Sequence, residues 1–506
     1  MSMQKKLSGI IPKYKRFPRG YEFKNFEGQP EENLTQTGTP ARVTIPLRQG
    51  FGNEVAPIVK SGQKVAAGQI IGRDDESVSN PVHSSVNGKV VEIEKIDYLG
   101  RETGAVVIES DGTGDWQMLE GHSSKWEDLS AEKIGELIYL SGAGSAGTAG
   151  IPTRFNSSVI VPEEVENVII QGVGSQVHNL SLNVLLRGEG LSHFIEGLKI
   201  LKKMMAGAQF HLALNRSQKS LIKSVSQLLP TDDSINFFTV PGKYPVERDE
   251  VLTPLLLEAG FPYGYCTANV GVIVLDIQAV LHVYEAVVEG KPLIERTIAL
   301  CGPGFMEKPH VKARIGSSLE HVIKGEVNAD KNLRFVLNSS LTGESLSDSS
   351  LPIDRTFTTI IALLEENERE FLFFVRPGFR KDSYSRTCLS ILFRKNSRMF
   401  QKSCGTNIHG ERRPCIFCTF CEEVCPVGII PHLLFHYVEK DVIDETLLKY
   451  KIFNCVECNL CSYVCPSKIP VAQRIKEGKA KLLDEGCKCP VPSVVLKGVE
   501  KYKSVK

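Results

Sequence analysis

What this sequence lacks narrows it first. No uninterrupted apolar run reaches the ~18–20 residues that a membrane span needs; the nearest, Val270 to Val288, is broken by Asp276, His282 and Glu285. The opening Met-Ser-Met-Gln-Lys-Lys is followed by no apolar stretch of the kind a secretory leader carries, which predicts a cytosolic protein or a cytosol-facing part of a larger complex. Charge of one sign is missing too. Sixty Lys and Arg stand against 59 Asp and Glu, so no global field draws the chain to nucleic acid. Cysteine is scarce along most of the chain, and a long chain of this kind does not read as a disulfide framework.

What is present begins with size. At roughly 100–200 residues per domain, about three or four compact units are expected from 506 residues. The 42% hydrophobic and 24% charged fractions are those of a globular protein with a sizeable core. Of fourteen cysteines, eight fall between Cys415 and Cys465.

They read Cys415-Ile-Phe-Cys418-Thr-Phe-Cys421-Glu-Glu-Val-Cys425-Pro426 and Cys455-Val-Glu-Cys458-Asn-Leu-Cys461-Ser-Tyr-Val-Cys465-Pro466. Both are C-x2-C-x2-C-x3-C-P, the bacterial ferredoxin run. Three thiolates on one tight loop can bind three irons of a cubane; the fourth lies beyond the loop and serves the other cluster. One [4Fe-4S] cluster is therefore expected on Cys415, Cys418, Cys421 and Cys465, the other on Cys455, Cys458, Cys461 and Cys425. Zinc is the alternative, because paired C-x2-C can build a four-thiolate site. It needs only two such pairs, fewer than are here. The linker, with Leu433, Leu434, Tyr437 and Val438 at helical spacing, predicts a helix and then a shorter one. Cys404 reads as structural, Cys487 and Cys489 as surface thiols, and Cys266, Cys301 and Cys388 as small core residues.

The rest of the chain predicts an α/β multidomain protein. Residues 1–40, with Lys and Arg early and a polar stretch after, suggest an extended arm. Residues 41–115 carry short β-branched strands between glycine turns; Pro81-Val-His-Ser-Ser-Val-Asn-Gly-Lys-Val90 resembles the barrel-sandwich hybrid of lipoyl-type domains, without a modified-lysine hairpin. Residues 126–310 alternate strand-like and helix-like segments, a Rossmann-like α/β domain, with Val159–Val161 among the strands. Its loop Leu140-Ser-Gly-Ala-Gly-Ser-Ala-Gly-Thr-Ala-Gly150 could bring backbone amides to a phosphate at Gly144, Gly147 and Gly150; a plain turn reads as well. Residues 311–350 suggest a β-grasp-like (SLBB-type) unit. A basic insert (351–403), an α-helical bacterial ferredoxin-type 2[4Fe-4S] module (404–475) and a tail (476–506) complete the order. The insert's Lys and Arg residues, from Arg376 onward, predict either a solvated face or contact with an acidic partner or anionic headgroups.

This order resembles two related subunits over roughly residues 41–475: the C subunit of Rnf complexes and the A subunit of sodium-translocating NADH–quinone reductase. Pro81–Val90 and Gly290-Lys-Pro-Leu-Ile-Glu-Arg296 are similar to both. The dicluster module and Asn269-Val-Gly-Val272 resemble Rnf. Glu295-Arg-Thr-Ile-Ala-Leu-Cys-Gly-Pro303, Asn338-Ser-Ser-Leu-Thr-Gly343 and Thr406-Asn-Ile-His-Gly-Glu-Arg-Arg-Pro414 resemble the quinone reductase. His409 in the last stretch is a candidate contact with quinone or a partner, or simply structural.

Relatives that bind flavin and NADH carry G-x-G-G-A-G-F-P-T and then N-G-A-E-C-E-P. Here the loop is Ser145-Ala-Gly-Thr-Ala-Gly-Ile-Pro-Thr153, and the second segment, Gln171-Gly-Val-Gly-Ser-Gln-Val177, has Gly174 and Gln176 in place of both acids. Added Cβ and hydroxyl atoms oppose close approach of the backbone to a phosphate. These departures predict that NADH and FMN are no longer bound. The resemblance implies an electron-transfer subunit, peripheral on the cytoplasmic face of the inner membrane, which relays electrons through its clusters between membrane subunits and quinone, ferredoxin or NADH. Two alternatives stand beside it: an Rnf-type C subunit that itself oxidises NADH through FMN, and a non-catalytic docking subunit with structural clusters.

Overall fold

Val168-Ile-Ile-Gln171 and Val272-Ile-Val-Leu275 are apolar without alternation, the pattern of strands covered on both faces. In a computed structural model, which describes residues 10–229, 235–260, 265–327, 332–346, 348–365, 402, 404 and 412–486, both lie in a five-stranded, all-parallel sheet. Its order is Lys13–Tyr14, Ile235–Val240, Gln209–Asn215, Asn167–Gly172 and Val272–Asp276. Val168 and Ile170 face a core shared with the helices Ala131–Leu140, Gly190–Met204, Lys219–Leu228 and Ile277–Val288. Ile169, between them, faces the opposite side with Phe17, Phe238 and Leu252, the last on the helix Asp249–Leu257. Asp276 ends the fifth strand and caps the next helix, its carboxylate accepting from the Ala279 amide at 2.6 Å.

Residues 42–110 fold as two small sheets around one core that includes Val43, Ile45, Ile71, Val90 and Ile108. Their longest feature is the hairpin Gly88–Tyr98 and Arg101–Ser110. It turns at Leu99-Gly100, both with positive φ, as a tight hairpin turn requires. A third, mixed sheet of six strands has the order Ser345–Leu346, Leu333–Leu337, Thr359–Leu364, Glu295–Cys301, His310–Arg314 and Leu34–Gln36.

The arm is woven into the fold: Lys13–Tyr14 edges the parallel sheet and Leu34–Gln36 edges the mixed one. Such short polar strands are held by backbone hydrogen bonds and leave no hydrophobic pattern to read. Glu295–Cys301, counted with the α/β stretch, pairs instead with His310–Arg314. Thr359–Leu364, counted with the basic insert, lies inside the same mixed sheet. Val159–Val161 forms no strand. The rest of the insert from 366 to 401, with Cys388, His409, Cys487 and Cys489, falls outside the described residues.

The cysteine-rich module repeats its own backbone. Phe417 and Thr419 have φ of 52° and 61°, and Glu457 and Asn459, forty residues on, have 53° and 63°. Short helices follow each pair, Phe420–Glu423 and Leu460–Tyr463. Left-handed non-glycine residues cost about 1–2 kcal/mol each, so a loop holding two of them is shaped by what its thiols must face. The two helices expected between the runs are Pro431–Glu439 and Glu445–Lys449, and a last helix, Val471–Asp484, extends past residue 475. Among the described residues, no helix is long and apolar enough to cross a membrane.

Candidate functional site

The eight cysteines gather as two sets of four. Burial, then Cys418, with Cys465 and Cys415 adding, pushes the Cys421 thiol up to about 12. Burial raises Cys465 as well, and Cys418 and Cys415 raise it further. In the other set, burial pushes Cys458 up to about 12, with Cys455 and Cys425 adding. Cys461 is raised by burial and by Cys455, Cys458, Cys421 and Cys425, so it faces both sets. Cys425, Cys455, Cys458 and Cys461 also line one narrow apolar pocket with Ile429, Leu460 and Ile475. Cys465 thus lies near the thiols of the first run and Cys425 near those of the second, while Cys461 stands near both Cys421 and Cys425.

Burial holds these thiols protonated although Arg19, Lys479 and Arg248 oppose it at Cys425, Cys455 and Cys458; an iron cluster would supply the further positive charge that a thiolate needs. In the first set Cys415, Cys418 and Cys465 are half-buried and Cys421 is buried; in the second Cys425, Cys458 and Cys461 are buried and Cys455 is half-buried. Cys404 packs beside buried Cys301, and its amide donates to the Glu27 carboxylate at 2.8 Å, a structural place. Cys266, expected in a core, is exposed at the start of a short turn and bonds to Asn269.

A second site lies beside the parallel sheet. From the strand Asn167–Gly172 the chain steps outward through Gln209–Asn215 to Ile235–Val240, then returns to the other side with Val272–Asp276. Strand order reverses between Asn167–Gly172 and Val272–Asp276, and ligands of open α/β sheets bind outside the carboxyl ends at such a point. A cavity of about 920 Å³ opens there. Its walls include Gln171, Asp276, the loop Ser145–Thr148, and Arg48 and Phe51 from the small β-unit. Arg296 and Arg355 close another side.

Of the three glycines singled out by sequence, only Gly147 lines this cavity. A Cβ on Gly144 would strike the Asn80 side chain, and one on Gly150 would strike the Ser157 carbonyl. Those two glycines answer to the protein's own packing. The hydroxyls that interrupt the loop are engaged as well. Ser145 donates to the Gly142 carbonyl at 2.9 Å and accepts from Arg355 at 3.1 Å, while Thr148 donates to Asp249.

Sequence reading missed the acids of this cavity. Glu247 reaches it from the turn after the strand Ile235–Val240, beyond a cis Tyr244–Pro245 bond, and Asp249 from the start of the helix Asp249–Leu257. Glu247 is half-buried overall, but both its carboxylate oxygens are buried without a hydrogen-bond partner. Burial pushes it up to about 7, against backbone amides and Arg248. Burial likewise pushes Asp249 up to about 6, with the Thr148 hydroxyl opposing. The one signal was the charged run Glu247-Arg-Asp-Glu250, which reads equally as the acidic first turn of a helix.

The two sites touch. The Tyr244 hydroxyl donates to the Cys458 carbonyl at 2.9 Å, and Tyr244 begins the segment whose Glu247 and Asp249 line the cavity.

The model of the RnfC barrel sandwich hybrid domain matches residues 15–113, reaching into the arm, and the 4Fe-4S dicluster domain matches residues 414–469. The C subunit of the proton-translocating ferredoxin:NAD(+) oxidoreductase complex of Clostridium ljungdahlii is 24% identical over 87% of this chain and 88% of its own. The C subunit of the ion-translocating oxidoreductase complex of Pseudomonas aeruginosa is 27% identical over 89% of this chain. The chain spans only 54% of that relative's length. The C subunit of the Na(+)-translocating ferredoxin:NAD(+) oxidoreductase complex of Acetobacterium woodii is 23% identical over 86% of this chain and 88% of its own. The resemblance drawn from sequence to the A subunit of the quinone reductase is not supported by these relatives. This is a mixed α/β protein with an RnfC barrel sandwich hybrid domain and a 4Fe-4S dicluster domain, and its resemblance is to the C subunit of Rnf complexes.

Proposed function

We propose that this chain is the peripheral electron-transfer subunit of an Rnf-type, ion-translocating oxidoreductase on the cytoplasmic face of the membrane, with membrane subunits as partners. The observation that carries the reading is the contact between the second thiol set and the segment that brings Glu247 and Asp249 to the large cavity, through Tyr244 and Cys458. Cys415, Cys418, Cys421 and Cys465 would hold one [4Fe-4S] cluster, and Cys425, Cys455, Cys458 and Cys461 the other. When bound, such clusters take up and return one electron each.

The parallel sheet reads as the Rossmann-like unit and the mixed sheet as the β-grasp-like one. Three guanidinium groups, Arg48, Arg296 and Arg355, suit the cavity to a phosphate-bearing redox nucleotide. FMN and NADH are of that class. Sequence alone predicted their loss, on account of Ser145, Thr148, Gly174 and Gln176. Two observations favour retention instead. Both hydroxyls are taken up by protein partners, and carboxyl groups reach the cavity from Glu247 and Asp249. Glu247 can hold or release a proton there, and the apolar walls Phe51, Val78, Val159 and Leu275 limit water.

The test is anaerobic. NADH is added to the cluster-loaded protein with and without FMN, and the visible charge-transfer absorbance of the clusters is followed. Bleaching by NADH in the presence of FMN is expected. Bleaching by dithionite alone would make the protein a relay fed by a partner, with no nucleotide site of its own.

A further inference from the structure

Three hollows meet on one side chain. Glu247 lines the main cavity, a side lobe bounded by Thr148, Tyr265 and Thr267, and a further hollow of about 410 Å³ at the carboxyl ends of the parallel strands. That further hollow differs in chemistry from the main cavity. Carboxamides line it, Gln171, Gln176, Asn179 and Gln218 among them, and among the described residues no Lys or Arg does. The side-chain carbonyl oxygens of Gln176 and Gln218 are buried without a hydrogen-bond partner. The main cavity carries the guanidinium groups of Arg48, Arg296 and Arg355. Glu247 thus stands where a lobe suited to phosphate joins one suited to a neutral, hydrogen-bonding ring.

Among the described acids around these hollows, Glu247 alone keeps its acceptors unused. Asp249 accepts from the Thr148 hydroxyl. Asp276 caps a helix with one oxygen and meets Arg296 with the other, at 3.3 Å. Glu250 faces Arg248 at 3.7 Å, and Glu32 accepts from Asn183 at 2.6 Å. Both oxygens of Glu247 are buried and make no hydrogen bond, although the Ser175 amide and Arg248 lie near enough to oppose the effect of burial. A buried carboxyl without donors is costly, so its two oxygens are open to the donors of a bound molecule.

In a nucleotide the sugar lies between the phosphate and the ring, and a carboxylate can hold it by accepting from its hydroxyls. We propose that Glu247 is the specificity-determining residue for the sugar of the bound nucleotide. Its two oxygens accept from two adjacent hydroxyls, with the phosphate toward the arginines and the ring in the carboxamide-lined hollow. The proposal rests on the reading of the cavity as a redox-nucleotide site, and adds which residue selects the ligand and by which atoms. A cationic ligand would also pair with two free oxygens, but Arg48, Arg296 and Arg355 in the same cavity disfavour one. Two sources carry the required hydroxyls, the ribose of a pyridine nucleotide and the ribityl chain of FMN, and the binding test separates them.

The experiment is isothermal titration calorimetry on the cluster-loaded protein at pH near 8, where Glu247, held by burial at about 7, is ionised. ADP is compared with 2′-deoxy-ADP, and FMN with 2′-deoxy-FMN. Removing a hydroxyl that meets Glu247 should weaken binding by about tenfold or more, the worth of a hydrogen bond to a charged group. The pair that shows this gap identifies ribose or ribityl as the sugar held. In Glu247→Ala the gap should close to about twofold or less. Glu247→Gln keeps one neutral acceptor, so there it should fall to about threefold; this variant serves if the Ala variant folds poorly. A gap of unchanged size in the variants, or none for either pair in the unaltered protein, would overturn the assignment while leaving a nucleotide-binding cavity. If neither ADP nor FMN binds the unaltered protein, the nucleotide reading fails and the assignment falls with it.

Discussion

Arg355 donates to the Ser145 hydroxyl across 3.1 Å, joining the last strand region of the mixed sheet to the glycine-rich loop of the α/β unit. The same guanidinium donates to the Gly142 carbonyl at 3.2 Å and to the Pro81 carbonyl at 2.5 Å, so one side chain ties three units at the floor of the cavity. Burial pulls Arg355 down to about 10, which leaves it charged at neutral pH.

Replacing Arg355 by Met should therefore be costly. It strands two buried carbonyls that water cannot reach, at ~1–3 kcal/mol each, so a total loss of about 3 kcal/mol is expected in denaturant unfolding. Lys should rescue little, because an ammonium cannot fork to three acceptors. A loss of less than about 1 kcal/mol for Met would show that the tie is dispensable.

The crossed grouping of the thiols makes a prediction that an uncrossed one does not. Cys425→Ser and Cys458→Ser lie in different runs but belong to one set. Each should halve the iron content and leave the same residual cluster spectrum. Cys418→Ser and Cys465→Ser should share the complementary spectrum. If Cys425→Ser matches Cys418→Ser instead, each run holds its own cluster.

How much of this was legible from sequence depended on how far apart the partners are. The dicluster domain was legible because the spacing of its cysteines is local and a C-x2-C-x2-C-x3-C-P run has few other uses. The parallel strands were legible as apolar runs, and the helices between the cysteine runs as periodic ones. The cavity was not. Arg48, Glu247 and the pair Arg296 and Arg355 come from three separate units and share no motif, so only the fold brings them together. The glycine loop was half misread for the same reason: Gly144 and Gly150 face Asn80 and Ser157, partners that no local pattern announces.

Glu247 gives a pH prediction with a definite sign. Its carboxyl sits at about 7 when folded, against an ordinary value near 4.5. Between those limits the native state binds more protons than the unfolded one, so stability falls as pH rises. The advantage of the neutral carboxyl is fully present below about 4.5 and gone above 7. Glu247→Gln removes that slope. At pH near 8 the variant should be the more stable protein, by on the order of 3 kcal/mol, and near pH 5 the difference should shrink to a fraction of that. Chemical denaturation of both proteins across this range, in the absence of nucleotide, measures it. A difference independent of pH would mean that the carboxyl is solvated.

The arm supplies the last prediction. Phe23 lies 5.2 Å from the ring of Tyr463 in the cysteine module and 5.9 Å from that of Tyr244 on the cavity segment. Close by, the Gly20 amide donates to the Val424 carbonyl at 3.1 Å, and Arg19 donates to the Cys425 carbonyl at 3.4 Å. Phe23 thus fills the seam between cluster module and cavity unit. Phe→Ala in a full core costs about 3–5 kcal/mol; at a half-buried seam about 2 kcal/mol is expected. The loss should fall on the seam rather than on either unit, so Phe23→Ala should split thermal unfolding of the loaded protein into two steps. Cluster absorbance should then be lost at a lower temperature than the helical signal. A single transition at reduced temperature, with both signals lost together, would show that the two units are held by contacts other than this one.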